Sequence, residues 1–213
     1  HELHLMPGSD QLVIANGGLH THPDEDGRTP LNIASMEPNL SIIDRHSGKL
    51  VHQAALKADW HQLSIRHLDV SANGTIAAGF QYQGALTDQV PLVGIWQPGK
   101  DIRPIEAPDT VQYRMRQYCG SVRFDTSGQV FGISCPRGGL ITFWDAKSND
   151  FLTHIAAPDG CGLAATGRAG EFVGTSGLGN SWRMDALRRK RVELPDDSHK
   201  SLHWDNHLRR ITA

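Results

Sequence analysis

A hairpin pattern repeats along the chain, and it restricts the possible folds more than any other feature. Four segments share an alternating apolar strand, a short turn that contains Gly, and a second strand rich in small and β-branched residues. Short Asn-Gly or Ser-Gly turns between such strands are strong hairpin signals, because Gly readily takes a positive φ. The four segments are residues 3–18, 65–80, 119–134 and 161–177.

A second hairpin type follows each copy of the first, at residues 40–56, 92–107, 140–157 and 180–194. Four antiparallel strands per unit are typical of a propeller blade. The pattern predicts an all-β propeller of about four blades. Helical signal is confined to residues 185–191, and "SLHWDNHLRRI" at 201–211 looks like a fifth hairpin or a closing strand. The expected blades are residues 1–60, 61–115, 116–158 and 159–198, with a partial one at 199–213.

Four blades and a remainder suggest the C-terminal portion of a larger ring of about seven blades. The chain begins "HELHLMPG", with neither an initiator Met nor an export signal. We therefore expect a mature form or a fragment of a longer protein. A two-sheet sandwich, which also has many short strands, stays open as an alternative.

Charge and hydropathy argue against nucleic-acid binding and against a transmembrane helix. The formal net charge is −2, which gives no electrostatic reason to expect binding to nucleic acid. No apolar run approaches the roughly 18–20 residues of a transmembrane helix. The expected partners are therefore a small ligand or another protein.

Twelve histidines are an unusual number for a chain of this length. The inner strand of each propeller blade begins at one mouth of the central channel, and the repeat places polar residues there. Counting back from the turn glycines aligns Cys119 with Cys161 in neighbouring blades. His203 and Asp205 are expected near the same mouth. The ligand-binding residues predicted at this mouth are His1, Glu2, Arg66, His67, Cys119, Cys161 and His207.

Imidazole, thiolate and carboxylate groups together suit a transition metal such as Fe, Cu or Zn. The predicted metal ligands are His20 and His22, from the "HTHP" loop, together with His67. No short motif with metal-ligand spacing supports the assignment. Ordinary polar lining of a wet channel is the competing interpretation.

The cysteines and tryptophans also have structural interpretations. Cys119 and Cys135 fall opposite each other if the turn between them is short, and a Cys119–Cys161 pair or no disulfide at all are the other possibilities. Trp96, Trp144 and Trp182 occupy equivalent hairpin positions, so we expect them in the core.

Several segments together resemble an uncharacterised family of exported bacterial propellers. They include "HELHLMP", "HQLSIRHLDV", "YCGSVRFD", "PRGGLITFWD" and "HWDNHL", and the hairpin "LSIIDRHSGKLV" is similar to a YVTN-type repeat. The resemblance implies twin-arginine export, a periplasmic location and genes beside imelysin-type proteins in iron-regulated clusters. It implies no activity.

The favoured hypothesis is an exported, non-enzymatic propeller that binds a ligand or another periplasmic protein at the channel mouth, linked to iron handling. The alternative is a metal-dependent lactonase-like hydrolase or a quinoprotein-like oxidoreductase, with His67 or Glu2 as general base. A lactonase needs an oxygen-rich Ca²⁺ cage, which these residue types do not favour. A scaffold with an empty channel is the third possibility.

Overall fold

The structure, a computed structural model, describes residues 1–25, 29–194 and 202–211. It contains four four-stranded antiparallel sheets. Each sheet is built from four strands that are consecutive in sequence and pair in that order. This arrangement confirms the all-β, propeller-type class and the four blades.

Blades 1 and 2 are formed by the first eight strands. In each blade the first strand is innermost and the fourth outermost. Blade 1 contains β1 (Leu3–Leu5), β2 (Gln11–Asn16), β3 (Asn39–Asp44) and β4 (Leu50–Ala55). Blade 2 contains β5 (Leu63–Val70), β6 (Ile76–Tyr82), β7 (Val93–Trp96) and β8 (Arg103–Ile105).

Blades 3 and 4 repeat this order with the remaining eight strands. Blade 3 contains β9 (Ser121–Phe124), β10 (Val130–Cys135), β11 (Leu140–Asp145) and β12 (Phe151–Ala156). Blade 4 contains β13 (Gly160–Ala165), β14 (Glu171–Ser176), β15 (Ser181–Asp185) and β16 (Lys190–Glu193). The innermost strands contact one another in sequence order: β1 packs against β5, β5 against β9, and β9 against β13.

Helix is rare among the described residues, as expected, but its position differs from the prediction. The one α-helix there is α1 (Asp109–Arg114), in the connection between blades 2 and 3. The helical turn considered at 185–191 is instead the end of β15, the turn at 186–189 and the start of β16. Short 3₁₀ helices span Pro23–Glu25, Ile33–Ser35, Ala58–Trp60 and Pro136–Gly138. Within the described part of the chain, no helix has the length and apolar character needed to cross a membrane.

The core lies between the blades, where adjacent sheets pack face to face. Trp96, Trp144 and Trp182 expose 2%, 0% and 1% of their surfaces, which confirms their predicted core positions. Trp144 stacks on Phe131 with ring centroids 6.2 Å apart, and Phe151 meets it edge-on at 5.5 Å. These aromatic contacts join the strands of blade 3 into one packed layer.

Residues 202–211 form an irregular segment, here called the C-terminal segment, that lies along the inner strands. None of its residues is in a strand, so the expected fifth hairpin is not found in this segment. Ser201 and the blade boundary expected near 198–199 fall outside the described residues.

Two glycines let the C-terminal segment approach the inner strands closely. A Cβ atom on Gly120 would lie 2.8 Å from the Asn206 side chain, and one on Gly162 would lie 3.0 Å from Leu208 Cβ. A side chain at position 120 would also meet Pro136 at 2.9 Å, and one at position 162 would meet Thr175 at 2.6 Å, so these neighbours would have to shift. The glycine of each Cys-Gly pair therefore lies in a closely packed position beside the C-terminal segment.

Candidate functional site

A buried carboxylate, that of Glu2, holds a polar cluster together between the inner strands of three blades. Its side chain is only 8% exposed. Arg123 Nη1, from β9, donates to Glu2 Oε1 at 2.9 Å, and His4 Nε2 lies 3.2 Å from the same oxygen. On the other side, His67 Nδ1 lies 3.3 Å from Oε2, which also accepts the Leu68 backbone N–H at 3.2 Å. The Glu2 cluster is defined as Glu2, His4, His67, Asp69, Arg123 and His207.

The environment of Glu2 keeps its side chain ionised. Burial by itself would raise the pKa of Glu2, because it removes the charged form from water. Hydrogen bonds from His4 and His67 and the positive charge of Arg123 outweigh burial, so the pKa of Glu2 lies well below the usual range of a carboxyl group. The cluster therefore presents a fixed negative charge at neutral pH.

The Glu2 cluster contains a second carboxyl group, that of Asp69. Asp69 Oδ2 accepts the Phe124 backbone N–H at 2.7 Å, and Oδ1 lies 3.5 Å from His4 Nδ1. Burial raises the pKa of Asp69, although the charge of Arg123 and the bond from Phe124 oppose the rise. His4, on β1, thus bridges the carboxyl groups of Glu2 and Asp69 and orients Glu2.

A β-bulge in β5 sets the direction of two side chains. Ile65 pairs with Phe80 and His67 pairs with Gly79, which leaves Arg66 as the extra residue. A bulge disturbs the strict alternation of side chains and re-aims them. As a result, Arg66 and His67 both contact blade 1, Arg66 through the ring of His1 and His67 through Glu2.

Three members of the cluster could share one metal ion. Glu2, His67 and His207 each offer a ligand atom, and these atoms all lie within 4.8 Å of one another. His207 comes from the C-terminal segment, with Nδ1 3.9 Å from Glu2 Oε1 and its ring centroid 5.2 Å from that of His67. Two imidazoles and one carboxylate form a donor set used for Fe²⁺ and also compatible with Zn²⁺.

The remaining residues predicted from sequence lie outside this cluster. His1 contacts Arg66 beside it, and burial lowers the pKa of the Arg66 guanidinium. His20 and His22 are exposed in the loop between β2 and β3, where His22 Nδ1 lies 3.4 Å from Asp24. Of the three predicted metal ligands, the structure brings only His67 into the cluster.

The predicted cysteines are packing residues in this structure. Cys119 is fully buried beside Cys135 and donates to the Leu92 carbonyl at 3.3 Å. Cys161 donates to the Asp159 carbonyl at 3.1 Å. His203, which was expected near the channel mouth, contacts the Gly177 carbonyl through Nδ1 at 2.6 Å. Asp205 is close enough for its charge to act on Cys161. All three cysteines are free thiols, so neither proposed disulfide is formed.

The comparison with protein families extends over almost the whole chain. Residues 1–211 match the model of the family described as "Protein of unknown function (DUF1513)". The chain belongs to this family. A search of curated proteins found no match. The description of the DUF1513 family names no activity, so the function of this member has to be argued from the Glu2 cluster itself.

Three members of the Glu2 cluster in this DUF1513 chain were not predicted from sequence: His4, Asp69 and Arg123. His4 and Asp69 each lie two residues from a predicted site residue, Glu2 and His67, and so share its side of the strand. Arg123 is a charge inside the buried strand "SVRF". A charge in such a strand indicates a buried partner, and that signal could have identified the residue.

The buried thiols of this DUF1513 member should react slowly. Burial raises the pKa of Cys161, and burial together with Cys119 raises that of Cys135 far more. We expect the native protein to react slowly with Ellman's reagent, first at Cys161, and to release three equivalents after unfolding in guanidinium. A Cys161→Ser variant should remove the native-state reaction. Rapid stoichiometric reaction of two thiols in the native protein would contradict this packing.

Proposed function

We propose that this protein binds a divalent transition metal, Fe²⁺ or Zn²⁺, through Glu2, His67 and His207, and that metal handling is its role. The observation that carries the proposal is the convergence of two imidazoles and one carboxylate within 4.8 Å. The expected iron-linked setting and periplasmic location form part of the proposal. They rest on the family resemblance of the sequence.

The neighbours of these three residues support a metal site. Metal-binding carboxylates and imidazoles are normally held by hydrogen bonds from a surrounding layer of residues. Arg123 and His4 hold Glu2 Oε1, while Oε2 faces His67. Glu2 is therefore already ionised and oriented, so it does not have to lose a proton when a metal ion binds. The imidazoles would have to move only slightly to reach the ion.

The donor set also bears on which metals and reactions are favoured. Imidazole ligands suit Fe²⁺, Zn²⁺ and Cu²⁺ better than Ca²⁺, which prefers a shell of six to eight oxygens. The Glu2 cluster contains only two carboxyl groups, Glu2 and Asp69, so it does not support a Ca²⁺-dependent lactonase. Three protein ligands leave coordination positions for water or an external ligand, which suits a protein that takes up and releases its ion.

The direct test is calorimetric titration of Fe²⁺, under anaerobic conditions, and of Zn²⁺ into chelator-treated protein purified without a His tag. We expect one ion per chain and at least about a 100-fold loss of affinity in His67→Ala and in His207→Ala, because loss of a ligand weakens a site more than loss of a supporting residue. Affinity should also fall as pH falls, since protons compete for the imidazole nitrogens.

His46→Ala is the matched control, because His46 is an exposed histidine on the outer part of blade 1. It should bind metal like the wild type. His207 is 54% exposed, so its variant should keep the fold even if His67→Ala does not. Absence of binding by the wild-type protein, or equal binding by all three variants, would overturn the proposal.

A further inference from the structure

A separate cavity lies between blades 2 and 3, where the loop joining β6 to β7 meets the end of α1. Its volume is about 290 Å³. Val90 and Leu92 contribute apolar surface, and Tyr113 contributes an aromatic ring. None of its lining residues belongs to the Glu2 cluster, so the cavity needs its own explanation.

Glutamine side chains fix the two walls of this cavity to each other. The buried Gln112 donates from Nε2 to the Val90 carbonyl at 2.6 Å and accepts the Ala107 N–H at 3.0 Å. Gln117 Nε2 donates to the carbonyls of Ala85 and Asp88 at 2.9 and 2.8 Å. The loop and the helix end are therefore held in place without a ligand.

The backbone after α1 adopts a costly conformation next to the cavity. Arg116 and Gln117 are consecutive non-glycine residues with φ of 54° each, in the left-handed region. Each such residue costs about 1–2 kcal/mol relative to a right-handed one. Positions of this kind persist where the surroundings enforce them, and they are concentrated at binding and catalytic sites.

Two arginines, Arg116 and Arg137, line the cavity. Arg116 lies over the Tyr113 ring at 5.7 Å, and Arg137 lies over the Tyr118 ring at 4.3 Å. Among the described residues, neither guanidinium has an ion-pair or hydrogen-bond partner. Stacking on an aromatic ring holds a guanidinium flat and leaves its N–H edge available to a planar anion.

The acidic residue on the wall forms no ion pair with either arginine among the described residues. Asp88 lines the cavity and keeps its negative charge, and its Oδ2 accepts the hydroxyl of Tyr82 at 2.8 Å. The described wall thus combines two available guanidinium groups with apolar and aromatic surface. That combination fits an anionic head attached to a flat apolar body.

We propose that this cavity is a binding site for a small carboxylate with an apolar or aromatic body. Arg137 and Arg116 bind the carboxylate, and Val90, Leu92 and Tyr113 contact the body. The proposal is independent of metal binding, because the two sites share no residue.

The test uses two probes of the same shape, 2-naphthoate and its neutral analogue 2-naphthamide, titrated by calorimetry into the full chain. We expect the carboxylate to bind at least tenfold more tightly than the amide. Arg137→Ala and Arg116→Ala should each weaken binding of 2-naphthoate about tenfold or more, as expected for loss of a charge-assisted hydrogen bond. Arg168→Ala, which removes an exposed arginine from blade 4, is the matched control and should bind like the wild type.

The comparison of the two probes needs only the wild-type protein, so the proposal stays testable if a variant fails to fold. Equal affinity for naphthoate and naphthamide would show an apolar cavity without anion recognition and would overturn it. Absence of binding by both probes at millimolar concentration, or equal losses in Arg168→Ala and Arg137→Ala, would also overturn it.

Discussion

Replacing Arg123 with alanine is expected to lower the free energy of unfolding by about 3–5 kcal/mol, the usual effect of removing one partner from a buried ion pair. The side chains of Arg123 and Glu2 are 10% and 8% exposed, and they meet at 2.9 Å. Without Arg123, Glu2 and Asp69 would remain buried with no guanidinium beside them. Urea or guanidinium unfolding followed by tryptophan fluorescence measures the change.

The pH dependence of this loss follows from the lowered pKa of Glu2. A carboxyl group with a depressed pKa in the folded state adds stability that is present above its unfolded pKa and is lost as pH falls through the folded value. The Glu2 contribution is therefore complete at neutral pH and declines below about pH 4. The difference between wild type and Arg123→Ala should shrink in that acidic range.

Two further variants separate the ion pair from simple loss of packing. The double variant Arg123→Ala/Glu2→Gln should recover part of the lost stability, because it removes the unpaired negative charge. Arg168→Ala, at an exposed arginine on blade 4, should change stability by less than about 0.5 kcal/mol. If the double variant is no more stable than Arg123→Ala, the charge of Glu2 is not the source of the loss.

Replacing Asp125 with alanine is expected to lower the free energy of unfolding by about 3 kcal/mol, since buried N–H groups left without partners cost about 1–3 kcal/mol each. Asp125 is 5% exposed and follows β9. Its carboxylate accepts the Gly170 N–H of blade 4 at 2.7 Å and the Val130 N–H of blade 3 at 3.1 Å. The residue therefore joins two blades through bonds that alanine cannot make.

Asp145 provides the matched control for Asp125. It is the last residue of β11 and accepts N–H groups in the turn that follows, from Lys147 at 2.8 Å and Ser148 at 2.7 Å, but these bonds are exposed to water. Asp145→Ala should cost about 0.5–1 kcal/mol, because water can replace the lost acceptor. Chemical unfolding of both variants measures the difference. Equal losses in the free energy of unfolding would show that the bond from Gly170 to Asp125 contributes no more than an exposed bond.

The blades could be predicted from the sequence because their determinants are local. Gly74, Gly128 and Gly170 all have positive φ, as the predicted turns require. The alternation of apolar residues gives each strand two faces, and equivalent tryptophans mark the layers between blades. These features depend only on near neighbours in the chain, so one sequence is enough to identify them.

The site was only partly predictable, because it depends on how blades meet. The bulge at Arg66 and His67 changes which blade these side chains contact, and strict alternation gives no sign of it. Counting from the turn glycines aligned Cys119 with Cys161, but Cys161 lies within β13 whereas Cys119 precedes β9 and is fully buried. Helix α1 did carry a signal, since Pro108 and Asp109 precede apolar residues four positions apart, Val111 and Met115.

The position of His207 would let a metal ion at the proposed site connect two distant parts of the chain. Glu2 lies before β1, whereas His207 lies beyond β16, so nearly all of the described chain separates them. An ion bound by Glu2 and His207 would link blade 1 to the C-terminal segment. Ligand that binds only the folded state adds about 4 kcal/mol of stability at a thousandfold excess over its Kd. Removal of the ion by a chelator would then weaken the contact between the C-terminal segment and blade 1.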